Sequence, residues 1–171
     1  MLNPVTKFEY NFNNDILWEE YYRLKNQPDP KFNFYVDGKE KSYTMPGFRV
    51  LGSHTYGEDT DSKLIKEAGK FVKYFGIDDE YIALFLWMDK GFHLPWHVDD
   101  VNGCQSNINY VMSKDPEPVE FRNGKYTYKL AALDVMQEHQ VRNSKQERII
   151  MRISFKSLKY GELIDCISNR H

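Results

Sequence analysis

From residue 80 onward the apolar residues of this chain stop recurring at helical spacing and begin to alternate. Short runs follow one another, with turn residues about every 8–12 positions between them. "YIALFLWM" is apolar on both faces, as a fully buried strand is. "SNINYVMS" alternates. "PVEFRNGKYTYKL" sets two alternating runs on either side of Asn123-Gly124, a dipeptide favoured in two-residue hairpin turns. "AALDVM", "HQVRN" and "ERIIMRISFK" complete the series. A chain written this way closes into a barrel or a sandwich, so the expected class is α+β and mainly β.

The first half is mixed. "KFEYNF", residues 7–12, alternates polar and aromatic residues and predicts a half-buried strand. "NNDILWEEYYRLKNQ" predicts a helix capped by Asn14 or Asp15, with Ile16, Leu17, Tyr21 and Leu24 as its apolar stripe and "PDP" as its stop. "YVDGKEKSY" carries an Asp-Gly turn and predicts a hairpin. Residues 46–61 read as a loop. "DTDSKLIKEAGKFVKYFG" predicts a second helix, capped at Thr60 or Asp61. Its stripe is Leu64, Ile65, Ala68, Phe71 and Val72, and Gly76 ends it.

Nothing divides the 171 residues: there is no repeat, no low-complexity tract and no linker. One domain is expected. About residues 1–76 form a helical support, about 80–156 the β core, and 157–171 a C-terminal tail. Two helices are expected on one side of that core. Aromatic residues make up 15% of the chain, which suits strands. The formal charge of -2 comes without a basic tail or block, so nothing indicates nucleic acid. No apolar run reaches the roughly 20 residues of a membrane span, and the N-terminus does not read as a signal peptide. Cys104 and Cys166 form no CxxC pair. Isolated cysteines without a signal predict reduced thiols and a cytoplasmic protein.

"HLPWHVDD", residues 93–100, carries the chemistry. His93 and His97 stand four apart, the spacing of a zinc-binding helix. Pro95 between them removes a helical hydrogen bond and drives Leu94 out of helical conformation. The segment is therefore extended, and His97 and Asp99 share a face. His93 has the same parity if the chain stays regular through Pro95. A third donor must come from elsewhere. His139, opening "HQVRN", is carried by a strand that a barrel can bring beside His97. Two histidines and a carboxylate on one side of an ion suit non-haem Fe(II) and oxygen chemistry. Residue by residue a plainer reading stays open: a hydrogen-bonded His97, a turn at Asp99 or Asp100, and a surface His139 beside Glu138. In "ERIIMRISF", Arg148, Ile150, Arg152 and Ser154 share one face, opposite Ile149, Met151, Ile153 and Phe155. An arginine facing a barrel interior is costly unless an anion meets it, and its donor fork suits a carboxylate. The alternative is a salt bridge to Glu147 or Glu120 at a solvated rim.

In the order "WHVDD", "GKYTYKLAALDVMQEHQVRN", "ERIIMRISF", residues 80–156 resemble the Fe(II)- and 2-oxoglutarate-dependent oxygenases, nearest to small prolyl- or aspartyl/asparaginyl-hydroxylase-like members. The resemblance implies a double-stranded β-helix, the cupin-like jelly roll. It implies His97, Asp99 and His139 as iron ligands and Arg148, nine positions after the distal histidine, as the partner of the cosubstrate's far carboxylate. Arg152 is the second candidate, since it begins an Arg-x-Ser pattern. Asn107, Asn109 and Tyr110 fall where such proteins place polar contacts to 2-oxoglutarate. The implied reaction uses O2 to hydroxylate a small-molecule or protein side-chain substrate, releasing succinate and CO2. Trp96 is read as a pocket wall and Trp87 as core. The loop at 52–60 is read as a cover for the pocket mouth, with His54 and Tyr56 as candidate substrate contacts. Two other readings stay open: a non-catalytic module on the same barrel, and a non-oxidative metal enzyme of cupin type.

Overall fold

The computed structural model describes residues 3–27, 33–36, 39–42, 46–52, 62–99, 104–114, 116–143 and 145–170. Two antiparallel sheets dominate. The larger has the strand order β1 (Val5–Lys7), β10 (Leu130–Leu133), β7 (Ser106–Val111), β12 (Arg148–Phe155), β5 (Tyr81–Met88), β4 (Phe48–Gly52). The smaller runs β6 (His93–His97), β11 (His139–Arg142), β8 (Val119–Phe121), β9 (Gly124–Tyr126). A separate hairpin joins β2 (Asn33–Val36) to β3 (Lys39–Ser42), as the Asp-Gly signal predicts, although Asp37 and Gly38 lie outside the described residues.

The period-two pattern of the sequence sorts residues onto two sides of the larger sheet. Ile82, Leu84, Leu86 and Met88 of β5 and Ile150 of β12 face inward, meeting Leu94, Val119, Phe121 and Val141 from the smaller sheet. Ala83 and Phe85 of β5 face outward with Ile149, Met151, Ile153 and Phe155 of β12. The two layers enclose one core and the helices cover the other face, which is the jelly-roll arrangement expected.

That outer face is covered by α1 (Asn14–Lys25) and α2 (Lys63–Phe75). Asn13 rather than Asn14 or Asp15 caps α1, its side chain accepting from Ile16 N at 3.3 Å. Ser62 is the N-cap of α2, while Thr60 and Asp61 lie outside the described residues. Gly76 ends α2 in the left-handed conformation at φ 64°, where a glycine carries no Cβ penalty. Glu20, buried on α1, accepts from Arg23 at 2.7 and 2.8 Å and from Ser62 Oγ at 3.1 Å, tying the two helices together.

Four expectations need correction. Phe48–Gly52, inside the span 46–61 expected as a loop, form β4 and pair with β5 at the end of the larger sheet. The chain ends in a third helix, α3 (Tyr160–Ser168), where only a tail was expected. Its Tyr160, Leu163 and Ile167 pack on the same outer face, and Glu162 closes a capping box with the Lys159 backbone at 2.9 Å. Nine residues give too short a stripe for a firm periodicity signal. Residues 8–12 join no sheet among the described residues; the strand, Val5–Lys7, ends just before them. Their alternation instead sets Phe8, Tyr10 and Phe12 against Phe71, with ring centroids at 6.0, 5.0 and 5.6 Å. The β8–β9 register places Phe121 opposite Gly124, so the hairpin loop is Arg122-Asn123, one residue earlier than expected.

Phe71 is fully buried at the centre of this aromatic cluster. Phe71→Ala is expected to cost about 3–5 kcal/mol, read as a lowered denaturant midpoint, because the rings around it cannot close the void.

Candidate metal centre

Pro95 keeps β6 extended, and β6 ends at His97, opposite His139 at the start of β11. The register shifts between these positions and the next pair, Val141 and Leu94. That irregularity breaks the parity that would have kept His93 with His97. His93 is exposed, and its Nε2 lies 3.2 Å from Gln140 Oε1.

The two imidazoles adjoin, with ring centroids 4.3 Å apart, and Phe121 stacks on the His139 ring at 5.3 Å. Each ring is oriented by a backbone carbonyl two residues earlier. His97 Nδ1 donates to Pro95 O at 2.7 Å, and His139 Nδ1 donates to Gln137 O at 2.9 Å. A carbonyl only accepts, so the proton of each neutral ring sits on Nδ1 and the lone pair on Nε2. Both Nε2 atoms face one oxygen: Asp99 Oδ1 is 3.2 Å from that of His97 and 3.7 Å from that of His139. One donor atom from each of His97, Asp99 and His139 lies within 4.8 Å of the other two. No other group of this kind occurs among the described residues.

The surroundings prepare these groups for a cation. Burial would raise the Asp99 carboxyl, but the Arg152 guanidinium and the two histidines outweigh it and hold Asp99 well below the usual carboxylate range. Burial pushes His139 below the ordinary imidazole value against the pull of Asp99, which favours the neutral, ligating form. Burial lowers His97 too, but its hydrogen bond to Asp99, the Asp99 charge and the Pro95 carbonyl together outweigh burial, and the net direction is up. Two imidazoles and one carboxylate converging within 4.8 Å match the donor set of non-haem Fe(II), a facial set with open positions.

The other candidates divide by face. Asn107 and Asn109 of β7 point inward: Asn107 Nδ2 donates to Asp99 Oδ2 at 3.2 Å, and Asn109 Oδ1 accepts from Arg152 Nε at 2.9 Å. Tyr110, the next residue, points outward. It packs beside Phe12 at 5.1 Å and donates its hydroxyl to Asn14 Oδ1 at 2.6 Å, so the sheet separates it from the triad. Strand alternation already contained that distinction. Arg152 Nη1 meets Asp99 Oδ2 at 2.8 Å. Arg148 lies four residues along the same face, only 2% exposed. Its Nη1 donates to Glu117 O at 2.8 Å, its Nε has no acceptor, and no carboxylate among the described residues pairs with it. Trp96 carries the Arg122 guanidinium 3.9 Å above its ring. Trp87 is half-buried against the outer core and donates to Glu147 Oε2 at 2.9 Å. His54, Tyr56 and Asp100 lie outside the described residues.

Three further contributors were not among the candidate site residues; Tyr128 and Val135 gave no readable signal, and Asn143 is the last residue of the "HQVRN" stretch. Tyr128 Oη, buried inside the barrel, accepts from Asn109 Nδ2 at 3.0 Å. Val135 O accepts from Asp99 N at 3.0 Å. Asn143 Nδ2 donates to the carbonyls of Met88 and Asp89 at 3.2 and 2.6 Å, fixing the end of β11 against the β5–β6 turn.

Solved structures share this architecture. The prolyl-4-hydroxylase of Pseudomonas putida superposes with a TM-score of 0.56 at 11% identity, covering 89% of this chain and 91% of that one. The chain has the fold of a 2OG-Fe(II) oxygenase. An oxidoreductase of the 2OG-Fe(II) oxygenase family from Burkholderia pseudomallei gives a TM-score of 0.50 at 13% identity, over 81% of this chain and 78% of that one. At these identities the likeness is one of fold. No family model and no curated protein matches the sequence. Within this oxygenase fold, the triad lies between the two sheets, at facing ends of β6 and β11.

Proposed function

We propose that this protein is an Fe(II)- and 2-oxoglutarate-dependent hydroxylase. The observation that carries the reading is a pair of features between the two sheets. A two-histidine, one-carboxylate donor set stands there, and so does a buried arginine, Arg148, with an orphaned Nε and no carboxylate to meet it among the described residues. An unpaired buried guanidinium is costly, and a ligand carboxylate would relieve that cost.

His97, Asp99 and His139 would hold the iron through Nε2, Oδ1 and Nε2. Bound there, iron and 2-oxoglutarate together supply O2 activation coupled to release of succinate and CO2, with a hydroxyl delivered to substrate. The chain's own residues bind and orient. Arg148 receives the far carboxylate of the cosubstrate. Four residues along β12 separate it from Arg152 by about 13 Å, so it is the arginine set back from the metal donors. Phe121, Val141 and Ile150, buried in the core between the sheets, make the surroundings apolar and would exclude water from the reacting groups. The substrate proposed is an amino-acid side chain, free or in a protein, by likeness of fold to a prolyl-4-hydroxylase.

Anaerobic titration tests the reading. Fe(II) and 2-oxoglutarate added together should give a weak visible charge-transfer band that neither gives alone and that His97→Ala lacks. A chain that binds no 2-oxoglutarate in the presence of Fe(II) is not this enzyme.

A further inference from the structure

Asp99 has a second oxygen, and two strands hold it. Arg152 Nη1 on β12 lies 2.8 Å from Oδ2, and Asn107 Nδ2 on β7 lies 3.2 Å from it. The guanidinium is anchored behind: its Nε donates to Asn109 Oδ1 at 2.9 Å, and Asn109 Nδ2 donates to Tyr128 Oη at 3.0 Å. Asn107, Asn109 and Tyr128 are all buried, so this chain of donors has little room to shift. The Asp99 backbone is tied separately, through its N–H to Val135 O.

The last torsion of an aspartate is broad and two-fold, so nothing intrinsic keeps Oδ2 from swinging toward an ion bound at Oδ1. The consequence is one of coordination number. A facial triad leaves three positions on an octahedral ion. A chelating cosubstrate takes two of them and O2 takes the third. A carboxylate that grips with both oxygens removes one.

We infer that Arg152 and Asn107 are positioning residues that hold Asp99 to a single metal bond and so keep a coordination position free for the cosubstrate. The inference rests on the metal reading above. It gives Arg152 a task distinct from that of Arg148: its Nε and Nη1 are already engaged, one by Asn109 and the other by Asp99.

The test uses the full chain with Co(II) in place of iron, read by its visible spectrum and by 2-oxoglutarate titration of the Co(II) protein. Asn107→Leu and Arg152→Met should both still bind Co(II). Both should shift its spectrum in the same direction and lose about 10–100-fold in 2-oxoglutarate affinity, the usual cost of an outer-shell partner. Arg152→Lys, which reaches one partner instead of two, should fall between. Asn107→Leu is nearly isosteric and removes no charge, so it carries the test if Arg152→Met does not fold. A wild-type spectrum and affinity in Asn107→Leu overturns the inference, including the case where Arg152→Met alone loses affinity, which would make Arg152 a direct anion anchor. Identical Co(II) spectra for wild type and His97→Ala would overturn the metal assignment itself, and this inference with it.

Discussion

Asp99→Ala is expected to abolish iron-dependent succinate formation and to weaken Co(II) or Fe(II) binding by more than the roughly 10–100-fold that loss of an outer-shell partner costs. Asp99 is the only anionic donor of the set, and it stands between two imidazoles and a guanidinium. Its removal leaves an incoming cation two neutral ligands and a facing positive charge. Asp99→Asn tests charge apart from shape, because an amide keeps the size and loses the anion. Calorimetric metal titration against the Glu138→Gln variant, an exposed acid paired with Arg122, gives the control. Metal binding by Asp99→Ala at wild-type strength would remove the centre as described.

Arg148→Met carries the second large effect, in opposite directions for binding and for stability. Truncating one partner of a buried charge pair costs about 2–5 kcal/mol. 2-Oxoglutarate affinity should therefore fall by a factor of about 30 or more. The ligand-free fold should be no less stable, and gains if methionine packs well. Arg148 is buried with one hydrogen bond from Nη1 and no carboxylate partner among the described residues, so its charge is a cost until a ligand arrives. Thermal unfolding with and without 2-oxoglutarate and metal separates the two effects. With metal present, added 2-oxoglutarate should stabilise wild type further and the variant by less. A marked drop in Tm for the ligand-free variant would make Arg148 a structural brace instead.

Local chemistry made much of this readable in the sequence. Pro95 alone removed the helical alternative for His93 and His97 and left an extended segment. Alternation on β12 told its inner face from its outer one. It could not rank Arg148 against Arg152, because both share a parity. What separates them is across the sheet: Arg152 sits opposite Asn109 and reaches Asp99, while Arg148 sits opposite Met88. Register is a tertiary property that a single sequence does not fix. The irregularity that turns His93 away from His97 belongs to the same class. The third helix was hidden by its shortness, and the role of Tyr128 by a position inside an ordinary alternating run.

Pro95 has one more effect, set by its place at the margin of the smaller sheet. Among the described residues β6 is an outermost strand there, bonded to β11 on its inner flank. A free strand margin invites a stray chain to zip on, and a residue without an amide proton interrupts that ladder. The strand that delivers His97 is thereby shielded from self-association on the flank where no described strand of its own sheet adjoins it.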